Sequence, residues 1–219
     1  MGRRQHISKE GVIDAALAIL DDEGVAGLSL ERIAREVGVR GPSLYYHYPD
    51  KSAILAAVAR RVIGDLDVLR PETDWEAWLV DNALAFHDRV MAHPHAASLL
   101  MEHLSPRAVL VGFGRGAQLL TEAGVDPAIH MQLMEGVQHL AWGFTLYRAV
   151  LATSDVDPFA DPAEQWPELG EARRRDRWRD GRQTLERSVR SYLSGTLAVL
   201  SDVEPRPQPA SLSDEETTR

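Results

Sequence analysis

The sequence predicts an all-α fold, in which an N-terminal unit of short helices precedes a larger helical bundle. Apolar residues recur at helical rather than alternating spacing along most of the 219 residues. Serine, aspartate, glycine and proline stand where these segments begin and end, as they do at helix termini. Because 44% of the residues are apolar, the chain can bury a substantial core.

The first two helices are marked by their caps. The first covers residues 8–23, where Ser8 is placed to accept a hydrogen bond from the opening turn and Gly24 to end the helix. Ser29 is placed to cap a second, shorter helix. Gly38 follows that helix at the position where a left-handed backbone is most often needed.

Residues 39–55 read VRGPSLYYHYPDKSAIL and predict a third helix that begins at Pro42 and stops before Pro49. Asp50 is placed to cap a long fourth helix that runs to Leu66. Two short helices joined by a tight turn form a helix-turn-helix, whose second helix enters the major groove of DNA. Here the third predicted helix occupies that position.

The side chains of this third helix divide into a packing set and an outward set. Only Leu44 and Tyr48 are needed for packing. The remaining side chains are donors and rings that suit phosphates and base edges: Arg40, Ser43, Tyr45, Tyr46 and His47. Lys51 lies in the first turn of the next helix, where a cation is unfavourable unless an anion such as a DNA phosphate is near. For any single residue, half-buried packing or a solvated face is the alternative interpretation.

The run LSLERIAREVGVRGPSLYYHYPDKSAIL, residues 28–55, resembles the DNA-binding domain of the tetracycline-repressor (TetR) family. The likeness is carried by Ala34, Gly38, the Leu44-Tyr45 pair, His47 and Lys51. It implies contacts to double-stranded operator DNA from Arg40, Gly41, Pro42, Ser43, Tyr45, Tyr46, His47 and Lys51. It also implies a homodimeric repressor that a small-molecule effector releases from a palindromic operator. Charge alone suggests that Arg3 and Arg4 form an arm that reaches phosphates.

The rest of the chain is also predicted to be helical. The expected helices cover residues 75–93, 96–103, 106–123, 127–151 and 182–200, with a loop at 153–170. The apolar stripes of the 127–151 and 182–200 helices suit a four-helix interface between two subunits. The tail after residue 201 is rich in Pro, Ser and charge and is predicted to be disordered.

The predicted organisation is an N-terminal helix-turn-helix DNA-binding domain followed by a helical-bundle ligand-binding and dimerisation domain. Its divisions are residues 1–50 for DNA binding, 51–70 for a connecting helix, 71–202 for the second domain and 203–219 for the tail.

Residues 74–94 and 134–150 resemble, more weakly, the ligand domain of the tetracycline-responsive subfamily. This resemblance implies that Asn82 and Phe86 lie in an effector pocket. Aromatic and polar residues on these helices complete the candidate set: Asn82, Phe86, His87, His103, His139 and Trp142. The subfamily holds its drug through magnesium and a histidine, but His95 and His103 do not match that position. The sequence predicts no metal and no cofactor.

One other motif suggests an enzyme. Gly112, Gly114 and Ala117 satisfy the GxGxxA pattern of a dinucleotide-binding turn, so a small nicotinamide-dependent oxidoreductase using Gly112–Ala117 is the alternative function. That fold needs a strand on each side, whereas the following residues have a helical period. The sequence therefore favours a protein that is not an enzyme.

Charge and composition are compatible with DNA binding inside the cell. The net charge is −9, but residues 1–60 contain eight basic and eight acidic residues, so the acidity belongs to the remainder. The absence of cysteine excludes disulfides and thiolate chemistry. Without an apolar run long enough for a membrane span, the sequence predicts a cytoplasmic protein.

Overall fold

The computed structural model describes residues 8–64, 74–103, 106–154, 165–176 and 180–201, and within these ranges it contains no β-strand. The all-α prediction is confirmed. The helices are α1 (Lys9–Gly27), α2 (Leu30–Glu36), α3 (Gly41–Leu44), α4 (Lys51–Ile63), α5 (Trp75–Ala92), α6 (Ala97–His103), α7 (Pro106–Glu122), α8 (Pro127–Ala152), α9 (Pro167–Arg175) and α10 (Gly181–Ser201). A 3₁₀ turn, Pro94–Ala96, joins α5 to α6. None of the described helices is both long enough and apolar enough to cross a bilayer.

The three predicted caps at the start of α1, α2 and α4 are confirmed. Ser8 Oγ accepts from the Gly11 amide at 3.0 Å, and Ser29 Oγ accepts from the Arg32 amide at 3.1 Å. Asp50 Oδ1 accepts from the Ala53 amide at 2.8 Å. Each contact satisfies an amide that has no partner within its own helix, which fixes where the helix begins.

Three predicted boundaries differ from the structure. Gly24 (φ 68°) kinks α1, which continues to Gly27. Helix α4 ends at Ile63 because Gly64 adopts φ 61°, and Leu66 lies outside the described residues. The predicted 153–170 loop is wrong at its end, since α9 starts at Pro167, a residue that suits the first turn of a helix.

The third helix is also shorter than predicted. Helix α3 ends at Leu44, and residues 45–47 continue as a turn. The Leu44 carbonyl accepts from the amides of both His47 and Tyr48 at 2.9 Å, which closes this turn before Pro49. Arg3, Arg4 and the predicted tail at 203–219 lie outside the described residues.

The N-terminal helices share a core beneath α3. Leu44 is 1% exposed, and it belongs to the same apolar cluster as Ile33 of α2 and Ile54 of α4. Tyr48 is buried, and its hydroxyl donates to the Lys9 carbonyl at 3.2 Å. Burial from water raises the pKa of the Tyr48 phenol. The two predicted packing residues therefore anchor the α3 segment to α1 and α4.

Helices α5, α8 and α10 form the centre of the second part of the chain. Gly136 of α8 lies against the ring of Tyr192 on α10, where the Cβ of any larger residue would overlap the ring. The Tyr192 hydroxyl donates to the Gln132 carbonyl at 2.7 Å. This close approach fixes α10 against α8.

Contacts also join the N-terminal helices to α5. The Arg89 guanidinium donates to the carbonyl of Ile63, the last residue of α4. Asp21 of α1 lies 2.8 Å from Nδ1 of His93, which follows α5. The end of α4 is thus tied to the helix that carries several of the candidate effector residues.

Candidate nucleic-acid interface and effector cavity

Helix α3 and the turn after it expose two aromatic rings to solvent. Tyr46 is 92% exposed and Tyr45 is 56% exposed, although both are large rings next to the buried Leu44. The ring of His47 lies edge-on to Tyr46, with 6.1 Å between ring centroids. Because Leu44 and Tyr48 hold the backbone on either side, these three rings project from a fixed base.

The other predicted DNA-binding residues lie on the same continuous segment. Arg40 precedes α3 and is exposed, as are Pro42 and Ser43 within the helix. Gly41 starts α3, and a Cβ placed there would meet no heavy atom within 4 Å. Lys51 is the first residue of α4 and is partly exposed. The structure brings all eight candidates to one stretch of surface, which runs from Arg40 to Lys51.

The cations near this surface differ in whether a carboxylate of the protein already pairs with them. Arg32 of α2 pairs with Glu36 at 2.5 Å and Glu23 at 2.9 Å, and these hydrogen bonds raise the pKa of its guanidinium. Arg40 and Lys51 form no ion pair with any described residue. Lys51 also sits at the positive end of α4, so both cation and helix favour an anion there. The surface is therefore suited to phosphates as well as to base edges.

A second feature is a cavity of about 130 Å³ between α5, α7 and α8, which Ile63 of α4 also lines. Phe86 and Trp142 face each other across α5 and α8 as stacked rings, with centroids 4.9 Å apart and planes 13° apart. Asn82 lines the cavity, and its amide nitrogen donates to the Trp78 carbonyl at 2.8 Å. The cavity is mostly apolar, with a few polar groups.

Of the six predicted effector residues, Asn82, Phe86 and Trp142 line the cavity, and the three histidines do not. His87 is buried between α5 and α8, where its Nδ1 lies 3.1 Å from Thr145 Oγ1. Burial lowers the pKa of His87, because the protonated ring would lose its hydration. His139 is exposed on α8.

His103, at the end of α6, has a different environment from the other candidates. Its Nε2 is buried without a hydrogen-bond partner among the described residues, and the Glu102 carboxylate lies 4.0 Å away. It is outside the lining of the cavity. In the part of the chain that the structure describes, no three His, Asp or Glu side chains form a cluster that could hold a metal ion.

Sequence reasoning missed several lining residues, including Trp78, Phe113, Met134 and Gln138. Met134, Gln138 and Trp142 recur every four residues, so they lie on one face of α8. This spacing was a detectable signal, but core residues of a bundle have the same period. Only the packing of α7 beside α8 reveals that this face borders a cavity.

The alternative dinucleotide site is excluded by the backbone. Residues 112–117 lie inside α7 and not between a strand and a helix, so the turn that cradles a pyrophosphate is absent. The alternative interpretation of Gly112–Ala117 as a nicotinamide site is therefore contradicted by the structure. Instead, Gly112 lines the cavity, and Gly116 allows α7 to approach Met134 and Trp78 closely.

Comparisons with known proteins find relatives in sequence and in fold. Residues 12–58 match the family model described as bacterial regulatory proteins, tetR family. The tetracycline repressor protein class D of Escherichia coli is 27% identical in an alignment of 169 residues that covers 74% of this chain and 76% of the repressor.

Two solved structures share the fold. A possible TetR family transcriptional regulator from Streptomyces coelicolor A3(2) has a TM-score of 0.73 and 23% identity, covering 88% of this chain and 100% of that one. The Streptomyces coelicolor TetR family protein ActR, solved in complex with actinorhodin, has a TM-score of 0.67 and 22% identity, covering 90% and 100%.

Proposed function

We propose that the chain is a ligand-responsive transcriptional repressor of the TetR family that acts on operator DNA in the cytoplasm, as its matches to this family support. The observation that carries this proposal is the Arg40–Lys51 surface. There, exposed rings and cations without an ion pair among the described residues stand beside the buried Leu44 and Tyr48. Residues 1–50 form the DNA-binding domain, 51–70 the connection and 71–202 the effector and dimerisation domain.

The cavity is the proposed effector site. Ile63 lines the cavity and is also the last residue of α4, whose first residue, Lys51, lies on the proposed DNA surface. An effector that binds more tightly to one arrangement of α4 shifts the population toward that arrangement. ActR was solved with a small molecule bound, which supports a ligand-responsive role for this fold.

We propose that the working form is a homodimer formed by the outer faces of α8 and α10. These faces carry exposed apolar side chains such as Tyr147, Val150 and Val199. Gly143 and Gly195 lie on the same helices with open space where a Cβ would stand, so a partner helix can approach closely. A two-fold dimer would present two α3 segments about 34–36 Å apart, which is one turn of DNA.

Selection of bound sequences from a random pool of double-stranded DNA tests this function. The expected result is a palindrome whose half-sites are separated by one helical turn. Recovery of sequences without symmetry would contradict the dimeric operator, and recovery of no enriched sequence would contradict the repressor role.

The first prediction concerns the DNA surface. The double substitution Tyr45→Ala, Lys51→Ala is expected to weaken binding to the selected operator by at least about tenfold, or roughly 1.4 kcal/mol. Losing one phosphate contact should also lower the slope of log affinity against log salt by about one. Both quantities are measured by fluorescence anisotropy over a salt series.

A matched control removes a ring and a cation that are distant in sequence from this surface. Trp166 and Arg174 are exposed at α9, and Trp166→Ala, Arg174→Ala should leave operator affinity and its salt dependence unchanged. Equal losses in the two double variants, with equal helicity, would show that the Arg40–Lys51 surface does not contact DNA.

A further inference from the structure

We infer that the cavity selects a neutral aromatic molecule that carries a hydrogen-bond donor, and that it discriminates against both anions and cations of the same shape. This inference rests on the proposed function, because it names the chemical class of the effector. It depends on the charge, the shape and the hydrogen-bonding groups of the cavity lining.

Charge is the first argument. None of the described residues that line the cavity is ionisable. Its polar groups are the amides of Asn82 and Gln138 and the indole N–H groups of Trp78 and Trp142. A charged ligand would lose its hydration on entry without meeting an opposite charge from this lining, which disfavours its binding. A neutral ligand avoids that cost.

Shape is the second argument. Four aromatic residues border the cavity, and the parallel Phe86 and Trp142 rings form one part of its wall. Flat rings pack against such side chains by offset stacking or edge-to-face contact. The volume of about 130 Å³ is close to that of an apolar cavity of about 150 Å³ known to bind benzene. One aromatic ring therefore fits inside.

Hydrogen bonding is the third argument. The Asn82 amide nitrogen is occupied by the Trp78 carbonyl, so the Asn82 oxygen remains as an acceptor for a ligand donor. Gln138 forms no hydrogen bond with another described residue, so its amide can both donate and accept. A ligand N–H or O–H beside the ring matches this pair, whereas a purely hydrocarbon ligand leaves both amides unpaired.

Three planar probes of nearly equal shape test the inference: benzamide, which is neutral, benzoate, which is an anion, and benzamidinium, which is a cation. Their binding to the full-length protein at pH 7.5 is measured by ligand-observed NMR titration. The expected result is that benzamide binds at least about tenfold more tightly than either ion. Equal binding of the three probes, preference for an ion, or failure of all three to bind would overturn the inference.

Two Gln→Leu variants locate the binding event. Gln138→Leu removes the free amide from the cavity and is expected to weaken benzamide binding about tenfold. Gln118→Leu makes the same change on the exposed side of α7, away from the lining, and should have no effect on benzamide. Equal behaviour of the two variants, with unchanged melting temperatures, would show that the probe does not use Gln138 and would overturn its assigned role.

Operator binding is measured on the same preparations without any probe. Loss of discrimination among the probes with intact operator binding overturns only the ligand class. Absence of operator binding overturns the proposed function itself, whatever the probes do.

Discussion

At the scale of single residues, the burial of His87 makes the stability of the fold depend on pH. Its ring is buried against Thr145 and tilted against Phe144, and burial keeps its pKa below the ordinary value, with the nearby Asp88 carboxylate opposing this in part. The unfolded chain would take up a proton on this histidine near pH 6.5, but the folded chain would not. Since the unfolded state then binds more protons, stability should fall as the pH drops below about 6.5.

The second prediction follows from this expected loss of stability at low pH. His87→Gln replaces the ring by a neutral amide, so the variant should lose less melting temperature than the wild type between pH 7.5 and pH 5, although it starts from a lower value. Thermal unfolding, followed by circular dichroism at fixed protein concentration, measures how the melting temperature of each protein changes with pH. His139→Gln is the control, because His139 is exposed on the same bundle. If the melting temperature of His87→Gln fell with pH as steeply as that of the wild type, the pH dependence would belong to other groups.

At the scale of elements, two of the three glycines in α7 have opposite surroundings. A Cβ at Gly116 would lie 2.6 Å from the sulfur of Met134 and 3.2 Å from the Trp78 ring, whereas a Cβ at Gly114 meets nothing within 4 Å. Gly116 therefore sets how closely α7 approaches α5 and α8, which bounds the cavity. Gly114 only weakens the helix, since alanine is the better helix former.

The third prediction compares alanine at these two positions. Gly114→Ala should stabilise the protein by about 0.5–1 kcal/mol through helix propensity. Gly116→Ala gains the same propensity but overpacks a buried contact, which typically costs about 1–3 kcal/mol. Chemical denaturation of the two variants should therefore rank Gly114→Ala as the more stable. The reverse order would mean that the Met134 and Trp78 side chains move aside without lowering the free energy of unfolding.

At the scale of the whole molecule, dimerisation and DNA binding are expected to be coupled. Operator binding through two α3 segments makes the second contact intramolecular once the first has formed, which raises the overall affinity. The α8 and α10 faces proposed for the dimer are distant in sequence from the Arg40–Lys51 surface. A change at the dimer face should consequently weaken operator binding without altering any DNA contact.

The fourth prediction places a charge in the middle of that face. Gly143→Glu should shift the protein from twice the monomer mass to the monomer mass in light scattering, because a buried unpaired carboxylate opposes association. Operator affinity should fall with it. Gly114→Glu inserts the same side chain into open space on α7 and should leave both properties unchanged. A dimeric Gly143→Glu protein would place the interface elsewhere.

Much of the N-terminal part could be predicted from the sequence because its determinants are local. Helix caps at Ser8, Ser29 and Asp50 each depend on a side chain and an amide three residues away, and all three form. The exposure of Tyr45 and Tyr46 follows from the burial of Leu44, which immediately precedes the two tyrosines. The short α3 was harder to predict, since residues 45–47 turn in a way that proline positions alone do not specify.

The sequence by itself determined that the protein is helical, where most helices begin, and which side chains stand outward from α3. Only the tertiary structure decided which apolar and histidine residues border the cavity. Asn82, Phe86 and Trp142 line it while His87 packs behind it against Thr145, although all belong to similar helical stripes. The physical reason is that a helical period records which face is buried, whereas a cavity arises from the gap between neighbouring faces. That gap depends on contacts far apart in sequence, such as Gly116 against Met134 and Arg89 against Ile63.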